Sequence, residues 1–496
     1  MKFHVNNIPR KLLNLQELPA FVLELNNWDD YHTKSTFILK HYDSDRCVNI
    51  IGEVKIIKKG VSSTITIENN GMSSVLPLSF DLLDNDFISL GQNLDFYENL
   101  LGACGRDTAI EALIALREVS WQPQFAAPFE PTAPFRNSLL RENSAHKARR
   151  FGRAVINGEK VDESFSFNYT TLIPGAEEPT ETLIGFNEHD SIPGRIVGII
   201  GRNAVGKTRY LANLAEDLVQ IRQTSAKRAN ARDERFGGQR PIFNRVITIS
   251  YSAFDKFARP KAQQASYIYC GIRKEKGGLS RTSLLSTYKE NLQRIRELDR
   301  QHSWIELMQE ILGDQSQTLK AHLDTEISSQ DSGDEALSLL SSGQAILANF
   351  ITSLIAWLEP SSLVLFDEPE THLHPNAVAS LFNVLNKALS RYDSFAIVAT
   401  HSPVVIQEIP SKRVVLFERN GNVTTASRLP VETFGQNISE LTRHVFETIE
   451  VPSYYKKVLA GLARYQSFEE VMALFDDNLS INAQSYLATR YLEDNQ

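Results

Sequence analysis

The sequence predicts an α/β chain: a parallel sheet with helical crossovers, an antiparallel β lobe before it and helices after it. Three observations predict the sheet. The run Arg195-Ile196-Val197-Gly198-Ile199-Ile200 feeds Gly201-Arg202-Asn203-Ala204-Val205-Gly206-Lys207-Thr208, a phosphate-loop pattern followed by a helical stretch. A second apolar run, Leu363-Val364-Leu365-Phe366, ends in paired acids, Asp367-Glu368. A third, Ala396-Ile397-Val398-Ala399-Thr400, ends in His401. Apolar runs without alternation are the mark of strands buried on both faces. From Leu340 to His401 the order helix, strand, helix, strand suits a parallel sheet.

The N-terminal elements read differently. Phe21–Leu25 and Thr36–Lys40 are short apolar runs between polar turn residues. Gly52–Gly60 and Ser63–Glu68 alternate apolar with polar, as strands with one wet face do, so an antiparallel meander is expected. Phe87, Leu90, Leu94, Tyr97 and Leu101 recur at spacings of three and four, which predicts a helix, with a second over Ile110–Arg117. Four prolines, Pro123, Pro128, Pro131 and Pro134, mark a loop. Ser164–Tyr169 is expected to return the chain to the sheet as a short strand. After the phosphate loop come a helix from Thr208 to Gln223, a polar stretch to Arg240, the strand Val246–Tyr251, and polar-faced helix from about Leu284 to Leu323. The expected division is 1–190 for the β lobe, with a helical insertion at about 82–155. Residues 191–440 form the core, with a helical lobe at about 255–345, and 441–496 form a helical C-terminal region.

Composition narrows the function classes. With 496 residues and 42% hydrophobic content the chain can bury two or three cores. A net charge of −8 argues against a surface built for bulk nucleic-acid binding. Cys47, Cys104 and Cys270 are far apart and form no CxxC pair, which fits a reducing cytoplasm. The first residues show no apolar signal core. The longest apolar stretch, Ile346–Phe366, is broken by Asn349, Glu359 and Pro360, so no segment is expected to span a membrane.

The motifs carry specific chemistry. Gly201, Asn203, Ala204, Val205 and Gly206 form a loop at a helix N-terminus whose backbone N–H groups can cradle phosphates. Lys207 adds a point charge, and Thr208 a hydroxyl for Mg2+; ATP and Mg2+ are the expected ligands. Asp367, lifted to the sheet edge by its strand, can share that Mg2+. Glu368 points elsewhere and is the candidate base or water-orienting group. His401 can donate to the γ-phosphate and sense its loss. The bland alternatives are solvated strand ends for the acids and a satisfied polar residue for the histidine. Ser341, Ser342, Gly343 and Gln344 open a helix and can be an ordinary cap, an anion site, or both. His372 and His374 in Glu370-Thr371-His372-Leu373-His374-Pro375 could be read as metal ligands with Asp367 and Glu370, but part of a dimer contact beside the active site is the better reading. Two basic stretches, Arg136–Arg153 and Arg222–Arg240, are either a solvated surface or a docking face for phosphates or an acidic partner.

Phosphate loop, Leu340-Ser341-Ser342-Gly343-Gln344, Asp367-Glu368 and His401, in that order, resemble the parts of an ABC-type P-loop ATPase head. In that class the serine-glycine signature completes the nucleotide pocket of a second subunit. The resemblance therefore implies ATP hydrolysis and head-to-tail pairing of two copies, with Ser341–Gln344 acting in trans. Val364–Pro375 is similar to the SMC/RecF-like branch that includes the OLD proteins and the ATPases of anti-phage systems such as Septu and PARIS. Glu432–Ile438 and Phe87–Gln92 resemble the same branch. Two departures stand out. No glutamine after the second core strand reads as a Q-loop; Ser250-Tyr251-Ser252-Ala253-Phe254 holds that place. Only 95 residues follow His401, too few for the Toprim nuclease of OLD proteins, and no HNH signature is present. The resemblance thus implies a sensor or regulator subunit of a defence complex with a separate nuclease, HNH-type favoured as in Septu. The alternative is a RecF-like repair ATPase that binds DNA directly. A transporter motor fits less well, given the large N-terminal region and the His-Leu-His-Pro loop.

Overall fold

Residues 2–6, 15, 17–68, 71–160, 165–187, 190–221, 225–252, 256–259, 266–271, 281–312, 340–371, 373–446 and 454–493 are described in a computed structural model. Ser164, Arg222, Ala253, Phe254, the 313–323 end of the long helical run, and His372 lie outside them, as does the Ser342 side chain. The chain divides into two units, Met1–Gln436 and Asn437–Gln496.

The first unit begins with β1 (Lys2–Asn6), β2 (Ala20–Leu25), β3 (Thr36–Tyr42), β4 (Val48–Lys58), β5 (Ile65–Glu68), β6 (Gly71–Ser74), β7 (Ser79–Phe80) and β8 (Phe87–Gly91). Six of them form a sheet in the order β7-β1-β2-β3-β4-β8. The β2–β3–β4 meander is antiparallel as the alternation predicts, while β1 runs parallel to β2. Two expectations are corrected. The 63–68 run does not extend the meander: β5 pairs with β6 in a separate ribbon, and β8 takes the place beside β4. The 87–101 run is not one helix. Phe87–Gly91 is a strand buried at every position, so it shows no alternation. Gly91 lies so close to the next helix that a Cβ there would come within 2.4 Å of Phe96. That helix, α1 (Leu94–Ala115), starts where Asn93 Oδ1 accepts the Phe96 N–H at 3.0 Å. It is kinked at Gly105, whose φ is 76°. α2 (Asn143–Asn157) follows the proline-rich loop and is closed by left-handed Gly158.

β9 (Phe167–Thr171) pairs with β10 (Thr180–Ile184) as a two-stranded ribbon; it does not rejoin the large sheet as expected. The core follows: β11 (Ile196–Gly201), α3 (Lys207–Leu218), α4 (Ala226–Glu234), β12 (Arg245–Ser250), β13 (Tyr267–Gly271), α5 (Arg281–Glu297), α6 (Gln301–Leu312), α7 (Ser342–Trp357), β14 (Ser362–Asp367), α8 (Pro375–Arg391), β15 (Phe395–Thr400), α9 (Pro403–Ile406), β16 (Val414–Asn420) and β17 (Val423–Arg428). The sheet order is β13-β12-β14-β15-β11-β16-β17, parallel except for the β16–β17 hairpin. All positions of β11, β12, β14 and β15 are buried, which explains their uninterrupted apolar sequences. α5 and α6 pack on α7 through Asn291–Ser353 and Trp304–Thr352 hydrogen bonds, each 2.9 Å.

The β lobe is fixed to the far end of α3. Asn143 donates from Nδ2 to the Leu218 carbonyl at 3.1 Å and the Phe243 carbonyl at 2.8 Å. Gln220 donates to Asn137 Oδ1 at 2.8 Å. The second unit holds α10 (Ile438–Phe446), α11 (Tyr454–Ala463), α12 (Phe468–Ala473) and α13 (Ile481–Glu493), with a small core of Leu459, Val471, Ala483 and Leu487.

Candidate active site

Parallel strands deliver their C-terminal ends to one sheet edge, and the candidate residues sit there. β11 ends at Gly201, where a Cβ would come within 2.3 Å of the Phe417 carbonyl oxygen, so only glycine fits. The chain then turns through left-handed Ala204 (φ 69°) and Gly206 (φ 103°) into α3. Alternation into the left-handed region turns successive N–H groups toward one concavity, which suits phosphate oxygens. Val205 is buried in the core and anchors the loop, while Asn203 stays exposed. Lys207, 5% exposed, donates from Nζ to the carbonyls of Gly201 (2.8 Å) and Arg202 (3.0 Å). Burial lowers its pKa, against the carboxylates of Glu368, Asp367 and Glu370, which raise it.

Two strands away, β14 places Asp367 at the same edge. Thr208 Oγ1 donates to the Asp367 carboxylate, 3.0 Å from Oδ1 and 2.9 Å from Oδ2. A hydroxyl and a carboxylate brought together from distant sequence are oxygen donors of the kind a hard divalent cation uses, so these residues fit Mg2+. Glu368 has left-handed φ, 51°, and its N–H bonds to the Ala399 carbonyl at 2.8 Å. Its carboxylate lies 3.4 Å from His401 Nδ1, while that of Asp367 meets Thr208. A non-glycine residue held in the left-handed region stores strain, a feature common at functional sites.

His401, at the end of β15, turns Nδ1 toward two carboxylates, 3.4 Å from Glu368 Oε1 and 3.3 Å from Glu370 Oε1. The Glu368 carboxylate is the largest influence and raises the imidazole above its ordinary value; burial opposes it, Glu370 adds to it and Lys207 opposes it. Glu368 is in turn lowered, first by His401, against burial and with help from Lys207. Glu370 was not singled out by sequence reasoning except beside the histidine loop. Its oxygen accepts from Thr400 Oγ1 at 2.7 Å and from the His401 N–H at 3.2 Å.

The signature residues lie at the start of α7. Ser341 is its N-cap, with a reciprocal capping box: the Gln344 N–H donates to Ser341 Oγ and the Ser341 N–H donates to Gln344 Oε1 at 3.0 Å. Ser341 is exposed and Gly343 half-buried. One turn on, Tyr251 donates to the Ile346 carbonyl at 3.4 Å, and Phe350 stacks on Phe366 of β14 with ring centroids 5.0 Å apart. The signature helix therefore rests on the strand that carries Asp367. In the Q-loop place, Ser250 is fully buried beside Asp367 in register, and its Oγ accepts the Ser252 N–H at 3.3 Å.

Several other candidates have structural partners. His374 caps α8 by accepting the Asn376 N–H at Nδ1, 3.3 Å away. The basic stretches do not form continuous faces. Arg141 binds buried Asp30 at 2.6 Å, Arg235 binds Asp217 at 2.6 Å, and Arg240 is buried against the Leu218 carbonyl and Asn143. Arg150, Arg153, Lys227 and Arg228 remain exposed.

A parallel sheet with one strand lying between its phosphate-loop strand and an Asp-Glu strand, and a serine-glycine helix resting on the latter, defines an ABC-type P-loop ATPase fold. A family model described as "AAA domain, putative AbiEii toxin, Type IV TA system" matches residues 210–407, a stretch that contains Ser341–Gln344, Asp367, Glu368 and His401. Protein ea59 of Escherichia phage lambda is 27% identical over 508 aligned residues, covering 94% of this chain and 93% of its own. Among solved structures, the ADP conformation of an ATP-binding cassette of an ABC transporter aligns at 14% identity over 59% of this chain and 99% of its own, with a TM-score of 0.29. The SmcHead bound to the C-winged helix domain of ScpA aligns at 11% identity over 54% and 98%, also with a TM-score of 0.29. At such scores these likenesses add nothing to the strand order and loop geometry. No helix among the described residues is long and apolar enough to cross a membrane.

Proposed function

We propose that the chain hydrolyses ATP with Mg2+ at a site completed by a second copy of itself. The observation that carries this reading is the Thr208–Asp367 contact, which joins the phosphate loop to the acidic strand. Backbone N–H groups of the Gly201–Thr208 loop and the Lys207 ammonium hold the phosphates. Thr208 and Asp367 would hold Mg2+, which supplies charge neutralisation at the phosphates. Glu368, kept ionised by His401 and Lys207, orients the attacking water and takes its proton. His401 donates to the terminal phosphate. Ser341, Ser342, Gly343 and Gln344 of the second copy close the pocket from the other side. The test is a pair of variants. Lys207→Ala is expected to lose both nucleotide binding and turnover. Glu368→Gln is expected to keep ATP bound while turnover falls on the order of a hundredfold or more. Wild-type turnover by Glu368→Gln would reject its assignment.

The biological role we assign is a cytoplasmic regulator of an anti-phage defence complex, with the destructive step in a separate nuclease of the HNH type. The similarity of Val364–Pro375 to defence ATPases supports this, as does the toxin–antitoxin description of the matching family model. A second reading, an ATPase that acts on DNA directly, is favoured by one observation: the relative spanning 94% of the chain belongs to a phage, not a host. Co-purification with a nuclease supports the first reading; DNA-stimulated hydrolysis by the isolated chain supports the second.

A further inference from the structure

One carboxylate at the sheet edge has no role in the scheme above. Glu370 lies in the loop after β14 and folds back onto the end of β15. Its Oε1 accepts from Thr400 Oγ1 at 2.7 Å and from the His401 N–H at 3.2 Å, and it lies 3.3 Å from His401 Nδ1. Thr400 Oγ1 in turn accepts the Ser402 N–H at 2.9 Å. A single oxygen thus accepts from the side chain of one residue and the backbone of the next, and faces the latter's ring nitrogen at ion-pair distance without a hydrogen bond to it. The other oxygen, Oε2, is buried and makes no hydrogen bond.

A neutral amide would satisfy the Thr400 and His401 donors equally well. A carboxylate with only 12% of its side chain exposed and one idle oxygen carries a desolvation cost that neutral side chains avoid. The charge is compensated only by a cation beside it. The charged groups facing His401 are Glu368, Glu370 and Lys207. Glu370 acts on Lys207 as well, but Lys207 is hydrogen-bonded to its own loop carbonyls, and the cationic group that Glu370 touches, at 3.3 Å, is the imidazole.

We propose that Glu370 is the positioning residue of His401: it holds the strand end and sets a fixed negative charge against Nδ1, so that Nε2 meets the terminal phosphate. The proposal rests on the ATP-site reading for its last clause only. Glu368 cannot serve alone, because it must hand its charge to the water proton during turnover. Glu370 holds the ring while that happens. With Nδ1 turned toward the two carboxylates, Nε2 is the nitrogen left to donate.

The sign of the pH effect follows. His401 is raised, so it keeps its proton beyond the ordinary imidazole range and loses it as pH rises through the raised value. Removing the Glu370 charge moves that loss to lower pH. Glu370→Gln removes the charge and keeps an acceptor for Thr400; Glu370→Ala removes both. His401 is followed by NMR titration of the imidazole in nucleotide-free protein, assigned with His401→Gln, and kcat and KM for ATP are measured against pH. Glu370→Gln is expected to titrate His401 at lower pH. It is also expected to move the alkaline limb of kcat in the same direction and to cut kcat at pH 8 on the order of tenfold, with KM within about twofold. Wild-type His401 titrating at or below the ordinary imidazole value overturns the proposal. An unshifted titration in Glu370→Gln overturns it too, as does a loss of kcat equal at every pH. Absence of ATP turnover in the wild type would reject the ATP reading instead, while the nucleotide-free titration still decides the part played by Glu370.

Discussion

Lys207 and Thr208 stand next to each other in sequence, yet the structure gives them opposite environments. Lys207 Nζ is turned back onto the carbonyls of its own loop, so its ammonium must exchange those partners for phosphate oxygens when nucleotide enters. Thr208 is already held by Asp367 across the sheet. If that pair shares Mg2+, Asp367→Asn removes the charge and leaves the shape. The Mg2+ concentration for half-maximal hydrolysis is then expected to rise roughly tenfold or more, with nucleotide binding in EDTA little changed. A metal dependence identical to wild type would remove Asp367 from the proposed site. The phosphate loop was legible because its spacing is fixed by backbone geometry. Glu370 was not, because an acid in a polar loop looks like a solvated one until the fold brings Thr400 and His401 beneath it.

Elements were legible where burial was two-sided or strictly one-sided, and ambiguous between. β11, β12, β14 and β15 declared themselves as apolar runs, and β4 by the alternation of Gly52–Gly60. β8 failed because its five residues are all buried and fall by chance on a helical spacing with α1. The marker overlooked was Asn93, whose cap sets the true start of the helix. Asn93→Ala is expected to cost about 1 kcal/mol, read as a lower midpoint in urea with unchanged slope. At α7 the contact that matters is Phe350 on Phe366. Phe350 is fully buried, so Phe350→Ala is expected to cost about 3–5 kcal/mol through the cavity it leaves. It should also slow turnover more than it weakens nucleotide binding, since the signature helix loses its seat while the phosphate loop keeps its own. Equal loss of both would place the signature outside the turnover step.

At the scale of the molecule, polar contacts join the β lobe to the ATPase core. Asn143, 1% exposed, serves the carbonyls of Leu218 at the end of α3 and Phe243 before β12. Asn143→Leu leaves those buried carbonyls without that donor and is expected to cost about 2–3 kcal/mol, measured by denaturant titration. A neutral outcome would mean that the lobe is not anchored there. Sequence reasoning gave the lobe and the core as separate regions but not this joint, because a buried asparagine has no periodic signature. The central claim is that two copies pool their residues in one ATP site. Lys207→Ala and Ser342→Arg chains, co-expressed with different tags and purified as a mixed pair, contain one site with both lesions and one site with none. The account predicts ATP turnover by the mixed pair well above that of either variant alone. Wild-type turnover by the Ser342→Arg chain on its own would contradict it.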